Sequence, residues 1–348
     1  MEPVARDGGG TGGGAGDVTE PLLAIDQLVA QLPVEGRMQT VLHDVSLTVG
    51  AGEAVGLVGE SGSGKSMTAR AVARLLPDGA RTTGAIRFSG ADVTALTGAA
   101  LRDYRGEVAM IFQDPRVHIN PVRSIGDFLC EVLRTNRGVS RAEARRRAVA
   151  GLADVGIDDG GRRLGQYPHE LSGGLLQRVM IAGVLLTEPK LVLADEPTTA
   201  LDVTTQAEVM AILDELRHER GLAMLFITHD LDLAGAVCDR TAVMYAGEIV
   251  ESQASTSLTA QPRHPYTASL AGARPRIDST TRRLAAIRGR PVSAFEAPDG
   301  CAFAPRCDHC EQRCRDRRPE LLPSDGGVVR CLRADELGPT LAAGVHGG

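Results

Sequence analysis

Hydrophobic and polar positions change their spacing repeatedly along this chain. From about Pro21, LLAIDQLVA and VLHDVSLTV alternate apolar with polar residues, which predicts strands with one buried face. AVGLV at 54–58 is a continuous apolar run instead. It meets a glycine-rich turn and a helix beginning near Lys65, a strand–loop–helix unit. EVAMIF (107–112) reads as a further strand, and RAEARRRAVAGLADVG and GGLLQRVMIAGVLL read as helices. The strand pattern returns in KLVLAD (190–195), LAMLFITH (222–229) and DRTAVMYAGEIV (239–250). Strands alternating with helices predict an α/β fold whose mostly parallel sheet is covered on both faces. The helical stretch from about 115 to 188 reads as a subdomain inserted between two of its strands. Beyond about 255 the pattern weakens while Pro, Arg and Cys accumulate, so 20–255 is expected to be one domain and 256–348 an appended segment. Residues 1–19 are glycine-rich, bury too little apolar surface to offset their ordering entropy, and are expected to be a disordered tail.

A formal net charge of -6 gives no support to a broad basic surface, so nucleic acid is not an expected partner. The chain has no run of about 18 or more apolar residues and no apolar signal core at its start, which predicts a cytoplasmic protein that meets a membrane only through partners. Five of the seven cysteines crowd between Cys301 and Cys331. In an unexported chain that spacing reads as metal ligation before disulfides. Cys130 and Cys238 sit in apolar helical surroundings and are expected to be buried small hydrophobes.

Chemistry concentrates first in Gly59-Glu-Ser61-Gly62-Ser-Gly64-Lys65-Ser66, which fits the phosphate-loop pattern G-x-x-x-x-G-K-[ST]. Its glycines let successive backbone N–H groups face phosphate oxygens, and the helix that follows presents a partly positive end. Lys65 can reach the β- and γ-phosphates of ATP, and the Ser66 hydroxyl can ligate Mg²⁺. Leu191-Val-Leu-Ala-Asp195-Glu196 ends an apolar strand on two acids, which in such a sheet emerge beside the phosphate loop. Asp195 is the expected Mg²⁺ holder. Glu196 is the expected general base for the attacking water.

Leu171-Ser172-Gly173-Gly174-Leu175-Leu176-Gln177-Arg178, just upstream of that strand, makes the chain resemble the ABC ATPase family over about residues 20–255. The resemblance implies a P-loop NTPase in which Ser172, Gly173 and Gly174 open a helix facing the γ-phosphate held by an opposite subunit, two subunits enclosing two ATP. It also implies a Q-loop at Gln113, which senses Mg²⁺ and γ-phosphate, a D-loop at Ala200-Leu201-Asp202 between subunits, and a switch histidine at His229. The family's common Gln is replaced by Leu175. The aromatic that usually stacks on adenine is missing, since no Phe, Tyr or Trp precedes Phe88; Gly36 or Arg37 stands near its place.

His264-Pro265-Tyr266-Thr267, Tyr167-Pro-His169-Glu170 and Cys301-Ala-Phe303-Ala-Pro-Arg306-Cys307 resemble the ATPases of bacterial oligopeptide and dipeptide importers. By that resemblance the expected partners are two membrane permease subunits, a second ABC ATPase in a heterodimer, and an extracytoplasmic solute-binding protein. The expected location is peripheral, on the cytoplasmic face of the inner membrane. Related nickel or glutathione importers and a soluble ABC ATPase are the alternatives. Cys301, Cys307, Cys314 and Cys331 reproduce a spacing that holds a [4Fe–4S] cluster in some of these importers. Zn²⁺, for which Cys310 completes a Cys-x-x-Cys, and free thiols stay open.

Overall fold

The computed structural model describes residues 20–199, 201–273 and 287–346; the expected tail over 1–19 and Ala200 lie outside them. Twelve strands run through the described residues: β1 (Leu23–Val34), β2 (Arg37–Val49), β3 (Ala54–Val58), β4 (Arg81–Phe88), β5 (Ala91–Asp92), β6 (Val108–Ile111), β7 (Leu191–Asp195), β8 (Ala223–Thr228), β9 (Arg240–Tyr245), β10 (Glu248–Ala254), β11 (Leu322–Ser324) and β12 (Gly327–Val329). They form two sheets. One is four-stranded and antiparallel, in the order β2-β1-β4-β5; the other is eight-stranded, in the order β11-β12-β10-β9-β3-β8-β7-β6.

Five strands of the larger sheet, β9-β3-β8-β7-β6, pair in parallel. All residues of β3, β7 and β8 are buried, as continuous apolar runs require when both faces are covered. On one face the antiparallel sheet closes over Leu57, Leu193 and Leu225 with Leu28, Leu42 and Ile86. On the other, Ile111, Val192 and Phe226 pack with residues of the helices between β6 and β7, among them Leu129, Leu152 and Met180. A third cluster joins Val58, Val243 and Tyr245 to Tyr266 and Phe303 of the C-terminal segment.

Between β6 and β7 the principal helices are Ile125–Arg137, Arg141–Asp154 and Gly173–Leu185. Ser124 and Ser140 cap the first two, each hydroxyl accepting the backbone N–H three residues on, from Asp127 and Glu143. Gly183 packs against the Phe128 ring, where a side chain would collide.

Three features differ from the sequence reading. DRTAVMYAGEIV is not one strand but a hairpin, β9 and β10 turning at Ala246 and Gly247, both with positive φ. Alternation along β1 is interrupted by a bulge between Ile25 and Leu28, which lets both face the core although they stand three residues apart. The appended segment adds β11 and β12 to the main sheet through antiparallel pairing of β12 with β10, and ends in the helix Ala334–His346. These strands are three residues long, too short for any periodicity to register.

The β12–β10 pairing is close enough to test. A Cβ on Gly327 would overlap the Ser252 carbonyl oxygen. Gly327→Ala is expected to lower the melting temperature by roughly 5 °C, the shift of about 2 kcal/mol in a chain of this size. An unchanged melting curve would contradict that pairing.

Candidate ATP site

Parallel strands deliver their C-terminal ends to one edge, and four of them carry the predicted chemistry there. β3 leads into Gly59–Ser66, β8 into His229, β7 ends on Asp195 before Glu196, and β6 leads through Phe112 to Gln113. The helix Lys65–Val72 starts directly on the phosphate loop, with Gly64 before it in a left-handed conformation at φ 104°. A side chain on Gly64 would also press on Met244 and Leu42, so the turn admits only glycine there. Ser61 and Gly62 form the exposed crest of the loop, whereas Ser63, Gly64 and Lys65 are buried.

Lys65 Nζ donates to the carbonyls of Gly59 at 2.7 Å and Glu60 at 3.1 Å. Burial lowers its pKa, and the carboxylates of Glu196, Asp195 and Glu60 oppose that shift. Ser66 Oγ donates to Asp195 Oδ1 at 2.8 Å. Burial pushes the Asp195 carboxyl up, against the stabilising hydroxyl of Ser66. A hydroxyl and a carboxylate side by side supply hard oxygen donors, the set that suits Mg²⁺.

Glu196 is held from several sides. Its N–H donates to the Ile227 carbonyl on β8 at 3.0 Å, and its own φ is 46°, a left-handed conformation uncommon for a residue with a side chain. Its Oε2 accepts from Gln113 Nε2 at 3.1 Å and Thr199 Oγ1 at 2.8 Å, and His229 Nδ1 lies 3.6 Å away. Thr199 was not singled out in the sequence, because a lone hydroxyl three residues past an acid carries no pattern.

Ser172, Gly173, Gly174 and Asp202 lie at two adjoining helix starts. Ser172 Oγ caps the helix Gly173–Leu185 by accepting from Leu175 N at 3.3 Å, and Asp202 caps Val203–Arg220 by accepting from Thr205 N at 3.1 Å. A Cβ on Gly174 would strike the Thr205 methyl, so the two helix starts lie side by side. No hydrogen bond among the described residues joins this pair of helix ends to the Lys65–Glu196 group. Arg37 stands exposed near the tip of the β1–β2 hairpin, and the structure assigns no adenine partner to it.

In the C-terminal segment, His264 is wholly buried and opens the helix Pro265–Gly272, Nδ1 accepting from Tyr266 N at 3.0 Å. Burial holds its imidazole neutral, with the pKa pulled down to about 3. Cys301, Cys307, Cys310, Cys314 and Cys331 line one cavity of about 20 Å³, room for one water-sized body. Burial raises the thiols of Cys301 to about 12 and Cys307 to about 11, and that of Cys331 also upward. Soft thiols suit iron or zinc chemically. Yet among the described residues no three His, Cys, Asp or Glu side chains converge as metal ligands must. Cys238 is buried as expected, but Cys130 is only half-buried, because its helix face opens beside Arg134, Arg141 and Arg145.

A phosphate loop, an acid pair at the same sheet edge on the strand beyond β8 and a capped Ser-Gly-Gly helix together define an ATP-binding cassette, an ATP-hydrolysing unit that works with Mg²⁺. The ABC transporter family profile matches residues 42–199, and the profile for the oligopeptide/dipeptide transporter C-terminal region matches 250–314. The oligopeptide transport ATP-binding protein OppD of Salmonella typhimurium is 42% identical over 316 residues, covering 90% of this chain and 94% of that protein. OppD of Haemophilus influenzae is 41% identical over 311 residues, covering 89% and 96%. A dimeric post-hydrolysis structure of the ATP-binding cassette MJ0796 with ADP and Pi superposes with a TM-score of 0.60 at 27% identity, covering 67% of this chain and 98% of that one. The chain belongs to the ABC transporter ATP-binding proteins, in the branch that carries the oligopeptide/dipeptide transporter C-terminal region. Such a subunit works with membrane permease partners.

Lys65→Ala removes the buried ammonium at the loop. It is expected to weaken MgATP binding roughly 10- to 100-fold, as loss of a charged hydrogen bond does. Equal affinities in a fluorescent-nucleotide titration would place the phosphates elsewhere.

Proposed function

We propose that this chain hydrolyses MgATP to drive an importer of oligopeptides or dipeptides. The observation that carries the hydrolytic part is the seating of Glu196: an acid at a strand end, held by Gln113 and Thr199 with His229 beside it, one strand away from the phosphate loop. In this reading the backbone of Gly59–Gly64 and Lys65 hold the β- and γ-phosphates. Ser66, Asp195 and Gln113 hold Mg²⁺, which when bound neutralises charge on the phosphate oxygens. Glu196 takes the proton of the attacking water, and His229 contacts the γ-phosphate. Ser172, Gly173 and Gly174 serve the ATP of a second ATPase subunit, and Asp202 meets that subunit. The dimeric state in which MJ0796 was solved supports a site completed between two chains.

The peptide assignment rests on the OppD relatives and on the C-terminal region, whose domain we take to run over 256–348 behind a cassette at 20–255 with its helical subdomain at about 115–188. Two permease subunits, a second ATPase forming a heterodimer and an extracytoplasmic solute-binding protein complete the assembly on the cytoplasmic face of the inner membrane. Among the described residues no helix is long and apolar enough to cross a membrane, so attachment falls to the permeases.

Glu196→Gln is expected to cut turnover at least about 100-fold while MgATP still binds, the loss typical of a missing general base. Turnover within a few-fold of the parent would remove Glu196 from that role. Affinity purification from the native host should recover permeases, a second ATPase and a peptide-binding protein; a nickel- or glutathione-binding protein would reassign the solute, and ribosomal or DNA-repair proteins would end the transport reading.

We propose further that Cys301, Cys307, Cys314 and Cys331 hold a [4Fe–4S] cluster, with Zn²⁺ the alternative. The support is the resemblance of their spacing to that of cluster-bearing importers; the cavity they line, at about 20 Å³, would have to open to admit a cluster. Loading a cluster would draw the side chains together and release the thiol protons, since the thiolate is the ligand. Iron, sulfide and zinc analysis of anaerobically purified chain decides this: about four iron per chain is expected, zinc alone selects the alternative, and neither ends the proposal.

A further inference from the structure

Glu60 follows the first glycine of the phosphate loop, and the C-terminal segment holds it from two directions. Its N–H donates to the Tyr266 hydroxyl at 3.0 Å. Its carboxylate receives both terminal nitrogens of Arg306, at 2.6 and 3.2 Å. That guanidinium is 3% exposed, donates through Nε to the Arg288 carbonyl at 2.8 Å, and lies 5.8 Å from the Tyr245 ring centre and 5.9 Å from that of Phe303. A buried, two-pronged Arg–carboxylate pair of this kind fixes geometry as well as charge. Two residues further along the loop, the Gly62 carbonyl accepts from Ala294 N of the same segment at 3.4 Å.

These bonds meet the nucleotide chemistry at one residue. The Glu60 carbonyl is one of the two seats of the Lys65 ammonium. Whatever shifts Glu60 therefore shifts the lysine and the N–H groups around it. Elsewhere the segment is fixed without touching the loop. Arg330 donates to the Ile249 carbonyl and to Asp44, and Arg318 pairs with Glu248 at 3.0 Å. Arg306 and Tyr266 are thus not needed merely to keep the segment attached.

We propose that Arg306 and Tyr266 are positioning residues for ATP: acting through Glu60, they hold the phosphate loop and Lys65 in the shape that receives the phosphates, so the C-terminal segment sets nucleotide affinity. The inference rests on ATP binding at this loop. Its test is a set of MgATP affinities, steady-state constants and melting temperatures for the full chain and for Glu60→Gln, Arg306→Gln, Arg306→Lys, Tyr266→Phe, Arg330→Gln and the Glu60→Gln/Arg306→Gln double variant, with Lys65→Ala as the control. Arg306→Gln and Glu60→Gln should each raise the dissociation constant and KM about 10-fold with kcat within a few-fold, the size of one charged hydrogen bond. Arg306→Lys should recover part of that loss, and the double variant should lose no more than either single one, because the two changes break the same pair. Arg330→Gln should lower the melting temperature and leave affinity unchanged.

Parent-like affinity in folded Arg306→Gln would overturn the proposal, as would multiplying losses in the double variant, or an equal loss of affinity in Arg330→Gln. Should Arg306→Gln not fold, Tyr266→Phe, which removes one hydroxyl, must show the weakened binding alone. Equal nucleotide affinity in the parent and Lys65→Ala would instead refute the ATP site itself.

Discussion

The five parallel strands are the constraint on which the site depends. β3, β8 and β7 carry apolar residues on both faces, so each must be covered above and below, here by the antiparallel sheet on one side and helices on the other. Parallel pairing then leaves all their C-terminal ends on one edge. The register sets which residues meet: Val58 lies opposite Thr228, and Asp195 opposite Ile227, so the phosphate loop, His229 and the two acids leave the sheet at one level. A slip of one residue in β7 would turn Asp195 to the other face of the sheet and break its bond to Ser66.

Opposite charges already face one another at that edge before any nucleotide arrives. Lys65 is buried against two carbonyls, and desolvation lowers its pKa while the carboxylates of Glu196, Asp195 and Glu60 oppose that shift. Asp195 carries the complementary cost, raised by burial and restrained by the Ser66 hydroxyl. Both groups are therefore worth more to an incoming MgATP than the same groups in water, because the surroundings are already dry and the donors already aimed. The left-handed backbone of Glu196 belongs to the same economy of position: it turns the chain directly after the strand end and delivers the carboxylate to Gln113 and Thr199.

The parallel strands, the phosphate loop, the acid pair and the helix after Ser172 were legible in the sequence, since each rests on a run or spacing of several residues. What escaped was set by contacts distant along the chain. β11 and β12 exist because Val328 and Val329 find β10, not through any pattern of their own. Cys130 and Cys238 have similar apolar neighbours in sequence, but one faces arginines and the other packs beneath Gly56. The four cysteines were expected to ligate a metal; they line one cavity, yet nearness is a weaker condition than coordination. Ligands must point at one centre, and spacing says nothing of where a side chain points.

The C-terminal segment can matter to a site it does not line. Cys301 and Cys307 flank the turn that carries Arg306, and Cys301 N donates to the Cys314 carbonyl at 2.8 Å. Any change that draws those thiols together must move the backbone of that turn, and the turn ends in a buried guanidinium with no slack. An exposed ion pair would absorb the movement by side-chain rotation, at a cost near zero. This one cannot, because its Nε is tied to Arg288 and both remaining nitrogens to Glu60. Displacement is passed on to the phosphate loop or the pair breaks, leaving a buried charge uncompensated at a cost of about 3 to 5 kcal/mol. A segment placed behind the loop can therefore act on ATP binding through burial alone, with no contact to the nucleotide.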